Sequence, residues 1–146
     1  GEILRIDRIK ENHARIPNTH LVMHGSSSVP QEWLKTINDF GGDMGQTYGV
    51  PVAEIQEGIK SGVRKVNIDT DLRMASTGSV RRHLMENTSN FDPRKFLKES
   101  TKGMMEVCKA RYLAFGCEGM ASKLTPVSLE TMFDRYGKGE LDPQVN

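Results

Sequence analysis

The chain has 146 residues, of which 36% are hydrophobic and 27% are charged, a balance typical of one globular domain. Its formal net charge of +1 indicates neither a nucleic-acid surface nor an acidic tail. No apolar run approaches the roughly 20 residues that a membrane-spanning helix needs, so we expect neither nucleic acid nor a membrane as a partner.

The first third of the chain alternates predicted helices with one short strand. Apolar residues at helical spacing predict a helix over residues 6–16, which a proline ends. Residues 20–25 are a predicted strand, and Pro30 opens a helix over residues 31–40 after a serine loop. The glycine-rich segment 41–49 lacks the spacing of nucleotide-binding loops, so we interpret it as a mobile surface loop.

The rest of the chain adds a second strand among four more helices. A short apolar run after Gly62 predicts a strand over residues 63–68. Asp92 and Pro93 are typical of the cap and first turn of a helix. The helices are predicted from Pro51 to Gly62 and over residues 72–85, 93–115 and 129–136.

Strands that alternate with helices favour parallel βαβ units, hence an α/β protein. Two strands are too few for a parallel sheet that is covered on both faces. We therefore predict a carboxyl-terminal portion of an α/β barrel over residues 1–146. Its barrel part would span about residues 1–90, and a helical extension about residues 91–146.

The long helix and the cysteines are interpreted as structural. An apolar stripe on this helix is expected to face the core, and it consists of Leu97, Met104, Met105, Cys108 and Tyr112. Cys108 and Cys117 form no CxxC motif and indicate reduced thiols of a cytosolic protein.

Polar residues gather at the predicted carboxyl ends of both strands, where α/β proteins usually bind ligands. His24 ends the first strand, and Gly25 after it would let a phosphate approach the backbone. The second strand changes to polar residues from Asn67 onward. A strand-end histidine bonded to the backbone and an Asx turn that caps the next helix explain the same residues, so the pattern alone leaves both interpretations open.

A complete zinc site cannot be built from these histidines. On a strand, His20 and His24 would lie roughly 13 Å apart, too far to share one metal ion. His13 and His83 lie on predicted helices and would face outward. His24 would therefore need partner ligands from elsewhere.

Several segments resemble class II (zinc-dependent) fructose-1,6-bisphosphate aldolase. The resemblance lies in residues 21–30 and 63–73 and continues through residues 91–94, 121–123 and 139–143. The family consists of TIM (β/α)8 barrels, typically dimers or tetramers. The resemblance implies that this chain is the carboxyl-terminal portion, with the last two barrel strands and a helical extension.

The resemblance also implies roles for individual residues. His24 would be one of three histidines that hold Zn²⁺, and a monovalent cation is left open as a second ion. Arg94 would reach the distal phosphate, often across a subunit interface; the alternative interpretation is a solvated arginine at the start of a helix. The general acid and base would lie upstream of this chain. The dihydroxyacetone phosphate site would comprise Gly25, Ser26, Ser27, Asn67, Ile68, Asp69 and Thr70.

The implied activity is reversible cleavage of fructose 1,6-bisphosphate in glycolysis, gluconeogenesis or the Calvin cycle. The enzyme would be a homo-oligomer in the cytoplasm, or in the plastid stroma of a photosynthetic eukaryote. The chain by itself is expected to be inactive. Two alternatives remain: a tagatose-bisphosphate aldolase, and a non-catalytic assembly piece that uses the helix over residues 93–115 as its surface.

Overall fold

A computed structural model describes residues 4–142 of the chain. Within them, two short strands stand among six α-helices and one 3-10 turn. The elements are α1 (Ile6–Arg15), β1 (Leu21–Met23), α2 (Gln31–Asp39), α3 (Val52–Lys60), β2 (Val63–Val66), α4 (Thr70–Glu86), α5 (Pro93–Ala114), the 3-10 turn (Ala121–Lys123) and α6 (Leu129–Gly137).

The two strands pair in parallel, with Met23 opposite Val66, so the predicted α/β arrangement is confirmed. The pairing continues one residue beyond β2, because the Asn67 N–H donates to the Met23 carbonyl at 3.0 Å. Two helices, α2 and α3, lie between the strands in the chain, as a parallel connection requires. The carboxyl ends of both strands therefore meet at one edge of the sheet.

Two apolar clusters hold the helices against this sheet. One joins the strands to α3 through Met23, Ile55 and Val63, and the Ile55 side chain is completely buried. The other joins the loop after β1 to α2 and α4, and consists of Val29, Leu34, Ile37 and Met74. These clusters fix the strand ends and the start of α4 relative to each other.

The prediction that the methionine-rich stripe of α5 faces the core was wrong for three of its five residues, whereas Met104 and Cys108 are half-buried. Leu97, Met105 and Tyr112 are 53%, 50% and 61% exposed. The buried residues of α5 are instead Ser100, Gly103 and Val107. The reason is close packing against α4: a Cβ added at Gly103 would lie 2.3 Å from the Ser79 Oγ and 3.1 Å from the Ala75 carbonyl oxygen. Small residues form this interface because larger ones would hold the two helices apart.

The glycine-rich segment before α3 is bonded to the rest of the protein at several points, including hydrogen bonds from Gln31 to the Thr47 carbonyl and from Arg81 to the Gly41 carbonyl. The Asn38 side chain bonds both backbone groups of Met44, at 2.7 Å and 3.0 Å. The Val50 N–H donates to the Ser27 carbonyl at 3.0 Å. The segment therefore supports the loop that follows β1.

The chain divides into two compact units, and the boundary lies between Gly116 and Cys117. The first unit contains both strands and helices α1 to α5, and the second contains the 3-10 turn and α6. No helix within residues 4–142 is both long and apolar enough to cross a bilayer.

Candidate functional site

His24 and Asn67 directly follow the two strands and lie side by side. The Asn67 Nδ2 is 2.8 Å from the His24 Nδ1. The Lys65 ammonium group bonds the Asn67 Oδ1. Because an ammonium group can only donate, this contact orients the amide so that its NH₂ group faces the imidazole. The His24 Nδ1 therefore accepts this hydrogen bond.

The Ser27 hydroxyl joins the loop after β1 to the loop after β2. Its Oγ accepts the backbone N–H of Asp69 at 3.1 Å and that of Thr70 at 3.0 Å. These two amides begin α4, and the Asp69 side chain does not cap that helix. The Asp69 carboxylate instead pairs with Arg73 at 2.8 Å. Ser27 thus caps α4 from a position more than 40 residues away in the sequence.

A polar pocket of about 510 Å³ lies between these two loops. Its lining includes all seven residues that the resemblance assigns to the phosphate site. The lining consists of Gly25, Ser26, Ser27, Val66, Asn67, Ile68, Asp69 and Thr70. A helix N-terminus and adjacent backbone amides are groups that bind a phosphate dianion.

Two neighbouring residues of the pocket lining differ in exposure: Gly25 is open, and the Ser26 hydroxyl is buried. Gly25 has a φ of +63°, and no atom lies within 4 Å of the position that a Cβ would take. The Ser26 side chain is fully buried, and its Oγ has no hydrogen-bond partner among residues 4–142. Ser26 therefore has a hydrogen bond to offer, while Gly25 leaves room for a ligand to approach the backbone.

Arg94 is not among the residues that line this pocket. It lies in the first turn of α5, where its guanidinium forms three hydrogen bonds with the Asp92 carboxylate at 2.7–3.1 Å, one of which is also an ion pair. The Arg94 side chain is 89% exposed. The hydrogen bond from Arg94 lowers the pKa of Asp92 below its usual value.

The described residues fit only one ligand of the implied metal site. His24 is exposed at the pocket edge, whereas His20 is a separate exposed side chain before β1. Among residues 4–142, no three His, Cys, Asp or Glu side chains cluster closely enough to hold an ion. The prediction that His13 faces outward was wrong: its ring packs over Gly62, where a Cβ would lie 2.5 Å from the ring. His83 is half-buried and bonds Asn90 at 2.7 Å.

Sequence reasoning missed two residues, on α4 and α5, that fix the position of the loop after β1. The Asp71 carboxylate, fully buried, accepts the Val29 N–H and the Arg111 guanidinium, both at 2.9 Å. The sequence did contain a signal for Asp71, because it belongs to the polar segment that follows β2. Arg111 gave no comparable signal, because its partner lies 40 residues away in the sequence.

Comparison with known proteins assigns the chain to a family of enzymes. The family model described as fructose-bisphosphate aldolase class-II matches residues 1–120. The fructose-bisphosphate aldolase of Stutzerimonas stutzeri is 66% identical over all 146 residues, as is that of Pseudomonas aeruginosa. The fructose-bisphosphate aldolase of Nostoc sp. is 61% identical over 142 residues, or 97% of this chain.

The chain belongs to the class II fructose-bisphosphate aldolase family. It spans about 41% of the length of the relatives from Stutzerimonas and Pseudomonas, and 40% of that from Nostoc.

Proposed function

We propose that this chain is the carboxyl-terminal portion of a class II aldolase that reversibly cleaves fructose 1,6-bisphosphate to dihydroxyacetone phosphate and glyceraldehyde 3-phosphate. The parent protein would be a (β/α)8 barrel to which β1 and β2 contribute the last two strands. The observation that carries this proposal is the Ser27 hydroxyl, which accepts the N–H groups of both Asp69 and Thr70. That contact brings two polar strand-end loops together beside His24.

The pocket between these loops would hold the phosphate of dihydroxyacetone phosphate. Gly25 offers open backbone, and Ser26 offers a buried hydroxyl without a partner among the described residues. The Asp69 and Thr70 amides both donate to one acceptor, the Ser27 Oγ. A phosphate oxygen in the pocket would share these two donors with Ser27, because a dianion is a strong acceptor of hydrogen bonds.

His24 would supply one of the ligands of a zinc ion. When bound, this zinc would supply Lewis-acid stabilisation of the enediolate that forms as the C3–C4 bond breaks. Asn67 would hold the carbon skeleton of the substrate, since its NH₂ group lies next to His24. The remaining zinc ligands and the general acid and base would come from the part of the aldolase that precedes this chain.

Arg94 would serve the distal phosphate, across an interface with a second subunit. Its guanidinium is highly exposed and held by Asp92, so it would exchange this carboxylate for a phosphate. Both are anionic oxygen acceptors that match the planar guanidinium fork. The parent enzyme would therefore be a homo-oligomer.

The full-length aldolase that contains this chain tests the proposal through activity and zinc content. We expect the wild-type enzyme to cleave fructose 1,6-bisphosphate. We expect His24→Ala to weaken zinc binding by more than the ~10–100-fold loss typical of an outer-shell partner, as measured by equilibrium dialysis. His20→Ala is the matched control, because His20 is an exposed histidine four positions earlier. The zinc content of the His20→Ala enzyme should equal that of the wild type.

Two results would contradict the proposal. Wild-type enzyme without cleavage activity would rule out the proposed reaction. Equal zinc content in the His24→Ala and His20→Ala variants would rule out His24 as a ligand.

A further inference from the structure

A buried ion pair joins α4 to α5 beside the loop that follows β1. The Asp71 side chain is completely buried in the first turn of α4, and that of Arg111 on α5 is 16% exposed. One carboxylate oxygen accepts the Arg111 Nη2 at 2.9 Å. The other accepts the backbone N–H of Val29 at 2.9 Å, across 42 positions of the sequence. Asp71 thus links α5, α4 and the loop after β1.

The backbone of Val29 is in an unfavourable conformation at this contact. Its φ is +52°, in the left-handed region that a β-branched residue rarely adopts. Such a residue persists only where the surrounding structure holds it. Here the Val29 side chain is buried in the cluster with Leu34 and Met74, and its N–H is bound by Asp71.

The loop is therefore held at two points by one helical turn. Ser27 bonds the Asp69 and Thr70 amides, and Val29 bonds the carboxylate of Asp71. Ser26 and Ser28 lie between or beside these anchors, and their hydroxyls are buried without partners among the described residues. The positions of Ser26 and Ser27 in the pocket therefore depend on where Val29 is held.

We propose that Asp71 and Arg111 form a positioning pair that holds the loop of residues 26–29 in its phosphate-binding geometry. This inference rests on the proposed function, since it assumes that the pocket binds the phosphate of the substrate. Neither residue lines that pocket, so the pair acts through Val29 and Ser27 and not by contact with the ligand.

The contacts require a carboxylate at position 71. Val29 and Arg111 both donate, so the residue between them needs two acceptor oxygens. An asparagine of the same shape has one oxygen and one NH₂ group, and the NH₂ group would face a donor. Asp71→Asn therefore keeps the volume but leaves either Val29 or Arg111 without an acceptor.

Stability alone is a weak reason for this arrangement. A buried ion pair adds little net stability compared with well-packed apolar residues of the same volume, because both charges lose their hydration. The pair instead fixes the position of the loop, since Asp71 binds the backbone N–H of Val29.

The test compares Asp71→Asn with wild type in the full-length aldolase. Calorimetric titration with inorganic phosphate measures the pocket directly, and steady-state cleavage of fructose 1,6-bisphosphate gives KM and kcat. We expect Asp71→Asn to raise the dissociation constant of phosphate and the KM about tenfold each, the equivalent of roughly 1.4 kcal/mol, while zinc content stays at the wild-type level. Asp39→Asn is the matched control, because Asp39 is an exposed carboxylate paired with Lys35, and it should leave both constants unchanged.

Arg111→Lys provides a milder second variant, since lysine can still donate one hydrogen bond to Asp71. We expect roughly a threefold rise in the same two constants, consistent with partial loss of a charged hydrogen bond. Unchanged phosphate affinity and KM in folded Asp71→Asn or Arg111→Lys protein would overturn the proposal. Failure of both variants to fold would also overturn it, because that result assigns the pair to stability.

Failure of the proposed function would be seen separately. Wild-type protein that binds phosphate but does not cleave fructose 1,6-bisphosphate would refute the reaction. The phosphate titrations would still decide whether Asp71 positions the loop.

Discussion

At the scale of single residues, the cap of α5 shows one side chain in two roles. The Asp92 carboxylate accepts the Arg94 backbone N–H at 3.0 Å and also pairs with the Arg94 guanidinium. Asp92 and Pro93 were predicted as cap and first turn from the sequence, and both predictions are confirmed. The exchange of Asp92 for a phosphate by Arg94 remains a proposal.

This cap makes the stability of α5 depend on pH. The pKa of Asp92 is lowered in the folded protein, chiefly by its hydrogen bond with Arg94. The stabilisation is therefore fully present above the unfolded pKa of about 4, and it is lost as the pH falls through the lower folded value. Asp92→Asn keeps a good capping side chain but removes the titration.

In the full-length aldolase that contains this chain, we expect the wild-type protein to lose more thermal stability between pH 5 and pH 2 than the Asp92→Asn variant does. The measurement is the melting temperature by circular dichroism across that range. Asp134→Asn controls for the general effect of removing one exposed carboxylate. Parallel pH profiles for wild type and Asp92→Asn would contradict the prediction.

The local pattern predicted that polar residues gather at the two strand ends, whereas their roles in a phosphate site came from the family resemblance and stay a proposal. A histidine and a run of polar residues directly follow two apolar strands, and parallel strands bring such ends together. Asp71 and Arg111 were missed as a pair because their meeting depends on how α5 packs against α4. The sequence contains the residues of that contact but no periodic signal for it.

At the scale of elements, the helices were predicted well and the buried face of α5 was not. Proline at the start and glycine after the end are local signals, so the observed α5 differs by one residue from the predicted 93–115. The buried face depends on the partner helix. Gly103 fits against Ala75 and Ser79, so the close approach selects small residues and leaves Leu97 and Met105 exposed.

We expect Gly103→Ala to destabilise the full-length aldolase that contains this chain by about 1–3 kcal/mol, because the added methyl group overpacks the α4–α5 interface. The Ser79 Oγ is the nearest atom, at 2.3 Å from the new Cβ. Ser79→Ala should therefore recover part of the loss in the double variant. Urea unfolding of the two single variants and the double variant measures this coupling.

Gly137→Ala is the control for this experiment, since no atom lies within 4 Å of its added Cβ. It should not destabilise the chain, because alanine favours a helix more than glycine does. Additive effects of Gly103→Ala and Ser79→Ala would refute the proposed contact.

At the scale of the whole molecule, the parallel pairing was predicted from the alternation of strands and helices. The eight-stranded barrel stays a prediction, since the described residues contain two strands. Within the described residues, each strand pairs with the other along one edge only. The chain corresponds to about 41% of its relatives from Stutzerimonas and Pseudomonas, and in a barrel further strands would cover both edges.

We expect the 146-residue chain, purified alone with zinc, to self-associate and to show no aldolase turnover. Unpaired edges favour association between chains, and the described residues complete neither the zinc site nor the acid–base groups. Analytical ultracentrifugation and a cleavage assay provide the measurements. A stable monomer that cleaves fructose 1,6-bisphosphate would contradict both expectations.

The close packing around Gly49 limits which amino acids this position can accept. A Cβ at this position would lie 2.0 Å from the Ser27 carbonyl oxygen, in contact with backbone and not with a movable side chain. In a library randomised over residues 45–49, we therefore expect diverse side chains to be accepted at Gly45, where the added Cβ has open space, and only glycine at Gly49. Selection would act there on a residue that does not line the pocket between the two strand-end loops, because any methyl group would shift the neighbouring serine.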